Sequence, residues 1–389
     1  VDSATPLVAL EIQPGHVRSG GEKMSAEELS LYAVGDVRPD WPNPDSIVEM
    51  ELVIPIFKQA DILFGNLESP ISDLGERQVC NSGRKIRPEK ISLLTDAGFD
   101  VMSFANNHHL DYGDAAFFDT IERVTKHDIA IVGVGANIVD AHKPTIVERG
   151  GVKVGFLAYS SIVPIGFEAR AERPGCAALR VSTFYEQVDR DPGSPPKIIS
   201  ITKKEDLAAM VDDVTQLRSK VNIVVLSMHW GVHYIPGLIA MYQREIAHAA
   251  IDAGADLIVG HHPHIVKGIE TYKGKVIFYS LGNFVMPAKP GHKNPTRILY
   301  NVQVDDEYKY YPYPPDCRRT MIAKCNIVDK KIDQVSFVPA MINPKTQPEP
   351  LSAADPRSKE YYDYMLWCCR DQKLETELVR QGDDIVVVT

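Results

Sequence analysis

MYQREIAHAAIDAGADLIVGHHPH, from Met241 to His264, is the stretch on which the reading of the fold turns. A helix over Leu238 to Ala253 is stopped by Gly254, and an apolar strand from Leu257 to Val259 follows. Gly260 lets the backbone turn, and Pro263 fixes φ between His262 and His264. A rigid His-Pro-His bracket at the carboxyl end of a strand is the arrangement that a pair of metal ligands needs.

The same pattern stands upstream. In PEKISLLTDAGFDVMSFANNHH a helix opened by Pro88 is stopped by Gly98, a strand covers Val101 to Ala105, and Asn106 to His109 fall on a loop. Three further apolar strands run into reactive side chains: LYAVGD at Asp36, DILFGNLE at Glu68 and IVVLSMHWG at His229. Ligands of an open α/β sheet sit beyond the carboxyl ends of its strands. Five such strands are therefore expected to gather Asp36, Arg38, Asn66, Glu68, Asn107, His108, His109, His229, His262 and His264 around one hollow.

Imidazole, carboxylate and amide oxygen together suit manganese, zinc or iron better than calcium. Such an ion polarises a carbonyl or phosphoryl oxygen and acidifies a bound water, while His108 or His109 moves protons. Each residue also has a plainer reading. Asp36 can cap a turn, His229 can be a packed core histidine, Glu68 can pair with Arg38, and Asn283 can hold a turn. His261 is expected to point away from its neighbours, as a residue behind the ligands or at the surface, and His233 fits a substrate contact or an exposed position equally.

The chain has 389 residues, enough for one large α/β domain with additions or for two domains. A formal net charge of -10 argues against general nucleic-acid binding, which needs a basic face. Six scattered cysteines without a C-x-x-C pair fit a reducing compartment, and a cytoplasmic location is expected. No apolar run approaches the length of a membrane span. Residues 1–23 read as a disordered leader or added remnant, residues 24–340 as the main domain, and 341–389 as a helix and strand extension.

Helices are predicted near Ser46 to Gln59, Pro88 to Ala97, Asp114 to Lys126, Lys204 to Leu217 and Leu238 to Ala253. Three segments interrupt the alternation with strands: a basic loop from Gln78 to Lys90, a Pro/Gly-punctuated insertion from Phe167 to Lys197, and a Tyr/Pro-rich stretch from Asp305 to Arg319. Arg84, Lys85 and Arg87 on the basic loop, with Lys267 and Arg297, favour an anionic substrate, although such a loop is by default a solvated face. Trp230 and Asn283 join them as substrate-side candidates.

In order, VGD at Asp36, GNLESPIS at Glu68, ANNHHLDYG at Asn107, HWGVHY at His229, GHHPH at His262 and YSLGNFV at Asn283 resemble the bacterial capsule-synthesis (CapA), or poly-γ-glutamate synthesis, family within the calcineurin-like metallophosphoesterase superfamily. The resemblance spans about Leu31 to Tyr300. It implies a calcineurin-like, metallophosphatase-like four-layer α/β sandwich, with Asp36, Asn107, His229, His262 and His264 as metal positions, Glu68 as a substitute ligand and His108 as proton donor. Two departures stand out: Arg38 replaces the histidine of the superfamily's Asp-x-His motif, and Asn66 replaces the aspartate that bridges two metals. Loss of that bridge and gain of Arg38 favour one divalent ion, or none, with a carboxylate gripped by the guanidinium fork.

The leading expectation is a soluble metal-assisted hydrolase acting on an amide or ester of a glutamyl or peptide-like substrate. Two alternatives share the same residues: a peptide epimerase that abstracts a proton beside a carbonyl, and a non-catalytic polyglutamate assembly component. The oligomeric state is not readable from the sequence.

Overall fold

The computed structural model describes residues 28–39, 49–78, 83–189, 193–289 and 305–389. The expected leader over residues 1–23 and the substrate-side candidate Arg297 lie outside the described residues.

Apolar runs that alternate between two buried faces form two sheets packed against each other. The larger has ten strands. Its main path is Glu377–Gln381, Asp384–Val388, Lys331–Ile342, Arg319–Val328, Glu28–Val37, Ile62–Leu67, Val101–Ser103 and Ala130–Val132. The last four are parallel neighbours, and Asn283–Val285 pairs in parallel with the end of Glu28–Val37. The six-stranded sheet runs Ile269–Tyr272, Lys275–Phe278, Leu257–His261, Ile223–His229, Val152–Ser160 and Thr145–Arg149.

Side chains alternate across a strand, so each strand feeds two cores. Leu31 and Ala33, Ile62 and Phe64, Ile223 and Val225, and Leu257 and Val259 meet between the sheets, where the Phe64 and Phe156 rings stack with centroids 5.4 Å apart. Tyr32, Val34, Leu63 and Met102 face the other way, onto helices Ile91–Ala97 and Gly113–Thr125. Val224, Leu226 and Ile258 pack on helices Lys204–Arg218 and Met241–Ala253. The result is a four-layer α/β sandwich. The C-terminal helix Pro356–Asp371 sends Tyr361 and Met365 into the inter-sheet core, and the two strands after it extend the larger sheet.

Several expectations are corrected. The strands bearing the candidate residues divide between two facing sheets instead of lining one open sheet, and they run on to Val37, Leu67, His229 and His261. Only Ile54–Phe57 of the predicted Ser46–Gln59 helix is helical among the described residues, because Pro55 sits at its start and blocks an uninterrupted helix through that point. The helix expected from Leu238 begins at Met241, after Gln243 Oε1 accepts the Ala240 N–H at 2.8 Å. The insertion from Phe167 is not irregular throughout: Val181–Glu186 pairs antiparallel with Lys197–Thr202.

Lys267, grouped at first with substrate-side cations, is 1% exposed and donates from Nζ to the Ile235 carbonyl oxygen. Burial pushes its ammonium down to about 8 from the ordinary 10.5. The unfolded chain thus holds more protons than the folded one between those values, and wild-type stability rises with pH across that window. The interval is worth roughly 3 kcal/mol at full expression. Lys267→Met is expected to remove this rise, as read from urea unfolding at pH 7.5 and about 10. Parallel pH profiles for the two proteins would refute it.

Candidate metal centre

The inter-sheet core ends, at the carboxyl edge of both sheets, in polar side chains. Asn66 keeps the inward parity of Ile62 and Phe64, and His229 and His261 keep that of Ile223, Val225, Leu257 and Val259. Asp36 would face the helices if alternation from Ala33 were regular. However, Ala33 lies opposite Phe64 and Asp36 opposite Asn66, so one strand advances three residues while its neighbour advances two. This bulge turns Asp36 inward. Gly35 permits it: a Cβ there would lie 1.9 Å from the Gly282 carbonyl oxygen.

Asp36 is fully buried. Its Oδ1 accepts from Asn66 Nδ2 at 2.8 Å, and its Oδ2 accepts from the His262 backbone N–H at 3.3 Å. His262 and His264 both have positive φ, 93° and 57°, a conformation costly for non-glycine residues and concentrated at functional sites. The His-Pro-His bracket thus combines the fixed φ of Pro263 with two histidines at positive φ. His264 Nδ1 lies 2.7 Å from Asn283 Oδ1, an acceptor, which makes Nδ1 the protonated nitrogen and leaves Nε2 facing Glu68 Oε1 at 3.8 Å. Asn283 in turn donates to the Tyr311 hydroxyl at 2.7 Å, so it orients a histidine instead of facing a substrate.

Glu68 is at the centre. Its Oε1 is 3.7 Å from His229 Nε2, and among the described residues neither carboxylate oxygen has a hydrogen-bond partner although both are buried. His262 Nδ1 is likewise buried and unpartnered. Such groups cost about 1–3 kcal/mol each unless something else satisfies them. Glu68, His229 and His262 bring ligand atoms within 4.8 Å of one another, as do Asp36, Glu68 and His264. Glu68 belongs to both groups. It is the residue that the sequence reading offers as a substitute where Asn66 replaces a bridging aspartate. Hard carboxylate oxygens with imidazole nitrogens, several lacking any other partner, fit a divalent transition ion.

Electrostatics agree with that fit. Burial raises the Asp36 carboxyl, but His261 and His264 outweigh it and hold the group well below the usual carboxylate range. Burial, reinforced by Asp36, pushes Glu68 up to about 7. His229 and His262 are driven well below the usual histidine range, mainly by burial, and so are neutral and competent as ligands at pH 7. His264 goes the other way: burial lowers it, yet Glu68 and Asp36 together raise it.

Beside this cluster, His108 Nδ1 lies 2.7 Å from Asp111 Oδ2, and its Nε2 lies 3.2 Å from Asn107 Nδ2. Asn107 Oδ1 reaches His229 Nε2 at 2.9 Å. Asn106 donates to Asn66 Oδ1 and the Leu67 carbonyl oxygen and accepts from the His108 N–H, tying the two loops together. Arg38 donates to the Tyr313 hydroxyl at 3.0 Å, and its charge is felt by Glu68, His264 and Asp111.

Other candidates lie elsewhere. His109 is wedged edge-on among Phe104, Phe117 and Phe167, with its ring nitrogens on the carbonyl oxygens of Asn106 and Phe167. Burial outweighs those carbonyls and lowers it to about 4, and its ring is packed among the aromatic side chains. Trp230 is wholly buried against Tyr279, donating to the Tyr279 carbonyl oxygen. Lys85 is bound to the carbonyl oxygens of Asp73 and Leu74, and Arg87 pairs with Glu89 at the surface. Arg84 is half-buried, next to Gly83, whose backbone presses on the His108–Asp111 pair: a Cβ there would fall 1.2 Å from Asp111 Oδ2.

Sequence reasoning gave no site role to Asp111, Tyr311 and Tyr313, and it left His261 and His233 undecided. His261, expected to point away, is fully buried with Nδ1 3.5 Å from Asp36 Oδ1. Its inward parity with Leu257 and Val259 was the available signal. Asp111 follows His108 by three residues, a one-turn spacing that could have paired them. His233, weighed equally as a substrate contact or an exposed residue, has its ring centroid 3.9 Å from that of His262, whereas the Tyr311–Tyr313 pair carried no local pattern that pointed here.

The chain is a four-layer α/β sandwich with a histidine–carboxylate cluster where its two sheets end. Within that class, the chain belongs to the family described as bacterial capsule synthesis protein PGA_cap, whose model matches residues 30–288. It is 32% identical over 274 residues to the PGA biosynthesis protein CapA of Bacillus subtilis, covering 67% of this chain and 64% of that protein. It is 31% identical over 237 residues to the capsule biosynthesis protein CapA of Bacillus anthracis, covering 60% and 52%. The chain thus spans between about half and two thirds of these relatives. Among solved structures, it is similar to the calcineurin-like phosphoesterase YfkN from Bacillus subtilis at 12% identity and a TM-score of 0.41, covering 88% of this chain and 99% of that one. Among the described residues, no helix is long and apolar enough to cross a membrane.

Proposed function

We propose that the protein is a metal-assisted hydrolase that cleaves an amide or ester bond in a carboxylate-bearing substrate of glutamyl or peptide type. The observation that carries this reading is the pair of unpartnered, buried Glu68 oxygens amid neutral imidazoles. Asp36, Glu68, His229, His262 and His264 are the residues that would hold a manganese, zinc or iron ion, with Glu68 able to serve two ligand groups at once. Bound there, a divalent ion supplies Lewis acidity and an acidified water.

The chain's own residues supply the rest. Asp111 holds His108 Nδ1, so passing a proton to the departing nitrogen or oxygen falls to Nε2, which Asn107 Nδ2 approaches at 3.2 Å. Arg38, anchored on Tyr313, offers a planar fork that suits a substrate carboxylate. The names of the relatives, which concern PGA and capsule biosynthesis, support a glutamyl substrate if PGA is read as poly-γ-glutamate.

The test is hydrolysis of poly-γ-glutamate and of γ-glutamyl amides by purified protein, before and after dialysis against a chelator. Turnover is expected to vanish on dialysis and to return with manganese, zinc or iron. Turnover indifferent to chelation and to His262→Ala would sink the reading. Binding of polyglutamate without any chemical change would favour the assembly-component alternative.

A further inference from the structure

The turn that follows His229 and Trp230 lays a further histidine against the His-Pro-His bracket. Gly231, at φ 93°, lets the chain reverse, and its N–H donates to the Tyr242 hydroxyl at 2.6 Å. Three residues on, the Tyr234 N–H donates to the Pro263 carbonyl oxygen at 3.0 Å, in the middle of the bracket. His233 therefore meets both bracket rings. Its centroid is 3.9 Å from that of His262 and 5.1 Å from that of His264, whereas those two are 6.1 Å apart. The planes of His233 and His264 differ by only 12°. Tyr234 continues the stack, 4.9 Å from His233 and 5.6 Å from His264.

Stacking alone does not account for a histidine here. His233 belongs to neither ligand group, yet its Nε2 is buried with no hydrogen-bond partner among the described residues. A residue that only filled space would be apolar, because an unsatisfied buried nitrogen is costly. His262 Nδ1 is in the same condition, so two touching rings carry buried nitrogens that no described side chain satisfies. A neutral imidazole carries its proton on either nitrogen, and with no described residue on Nε2 the His233 ring can donate from there. An oxygen on which negative charge grows during bond cleavage is the acceptor that such a donor suits.

We propose that His233 is a positioning residue of the metal centre that also touches substrate: its ring braces His262 and His264 at the spacing of a ligand pair, and its Nε2–H donates to the carbonyl oxygen of the amide or ester being cleaved. The donor role rests on the hydrolase reading above, whereas the brace does not. Bracing matters because ligand side chains hold an ion tightly only when the packing around them locks their rotamers.

Cobalt(II) titration of the full-length protein, followed by visible absorbance, reads the brace. His233→Leu, which keeps bulk and loses the flat ring, is expected to weaken cobalt binding at least about tenfold. His233→Phe, which keeps the ring, is expected to stay within about threefold of wild type. Calorimetry with L-glutamate γ-monohydroxamate on the cobalt-loaded proteins reads the donor. There His233→Phe is expected to weaken binding about tenfold, as loss of one hydrogen bond does. Thermal unfolding of the metal-free proteins checks that the variants fold; His233→Ala replaces a leucine variant that does not, and an unfolded His233→Phe counts against the brace. The brace is overturned if leucine matches wild type for cobalt or if phenylalanine loses cobalt as leucine does. Unchanged hydroxamate affinity in His233→Phe overturns the donor role. A wild type that takes up no cobalt overturns both this proposal and the hydrolase reading, whereas these differences without any hydrolysis overturn the hydrolase reading alone.

Discussion

Replacing Glu68 with glutamine is expected to strip the protein of metal and to abolish hydrolysis together. The side chain serves both ligand groups, so its loss weakens each of them at once. Changes merely behind a metal ligand cost about 10–100-fold in affinity, so losing the shared ligand is expected to exceed about 100-fold. Glutamine keeps the shape of the pocket and removes a carboxyl whose burial already disfavours its charge. The metal-free variant should therefore unfold at no lower temperature than the metal-free wild type. Elemental analysis after gel filtration, paired with thermal unfolding, gives the answer. Full metal content in Glu68→Gln would show that the other imidazoles and Asp36 suffice, and the central place given to Glu68 would be wrong.

His108→Ala is expected to lower kcat by about 10²–10⁴-fold while leaving metal content and KM nearly unchanged. Its ring is held by Asp111 and Asn107 and belongs to neither ligand group, so it acts on the reacting bond without securing the ion. Asp111→Asn should reproduce part of the defect and alter the pH profile, because an amide can hold the wrong tautomer of His108. A variant that loses metal in proportion to activity would reassign His108 as a ligand.

Much of this site was legible because the chain repeats one local device: an apolar strand, then a short turn bearing chemistry. Gly254 and Gly98 close helices where the sequence puts them, both with positive φ, and His262 and His264 emerge after the strand as expected. What was not legible depends on pairing between distant strands. Nothing local announces the three-for-two step between Ala33 and Asp36, because a bulge is a property of register with Ile62–Leu67 and of the close approach at Gly282. Trp230 and His109 were misplaced for a related reason. A large or polar residue beside a ligand reads as part of the site, whereas strand parity sends Trp230 to the helix side and the turn after Asn106 sends His109 into a phenylalanine cage. On the basic loop, Lys85 finds local partners in the Asp73 and Leu74 carbonyl oxygens and Arg87 in Glu89, contacts that charge counting alone does not foresee.

The division of the cluster between two sheets has a mechanical side. Asp36 and Glu68 come from one half of the sandwich and His229, His262 and His264 from the other, so any cation they share is also a rivet through the seam. Loading would then raise resistance to unfolding by mass action, growing with the logarithm of free ion over its dissociation constant. The lifetime of the folded chain against proteolysis would track the metal supply around it, even where no substrate is present.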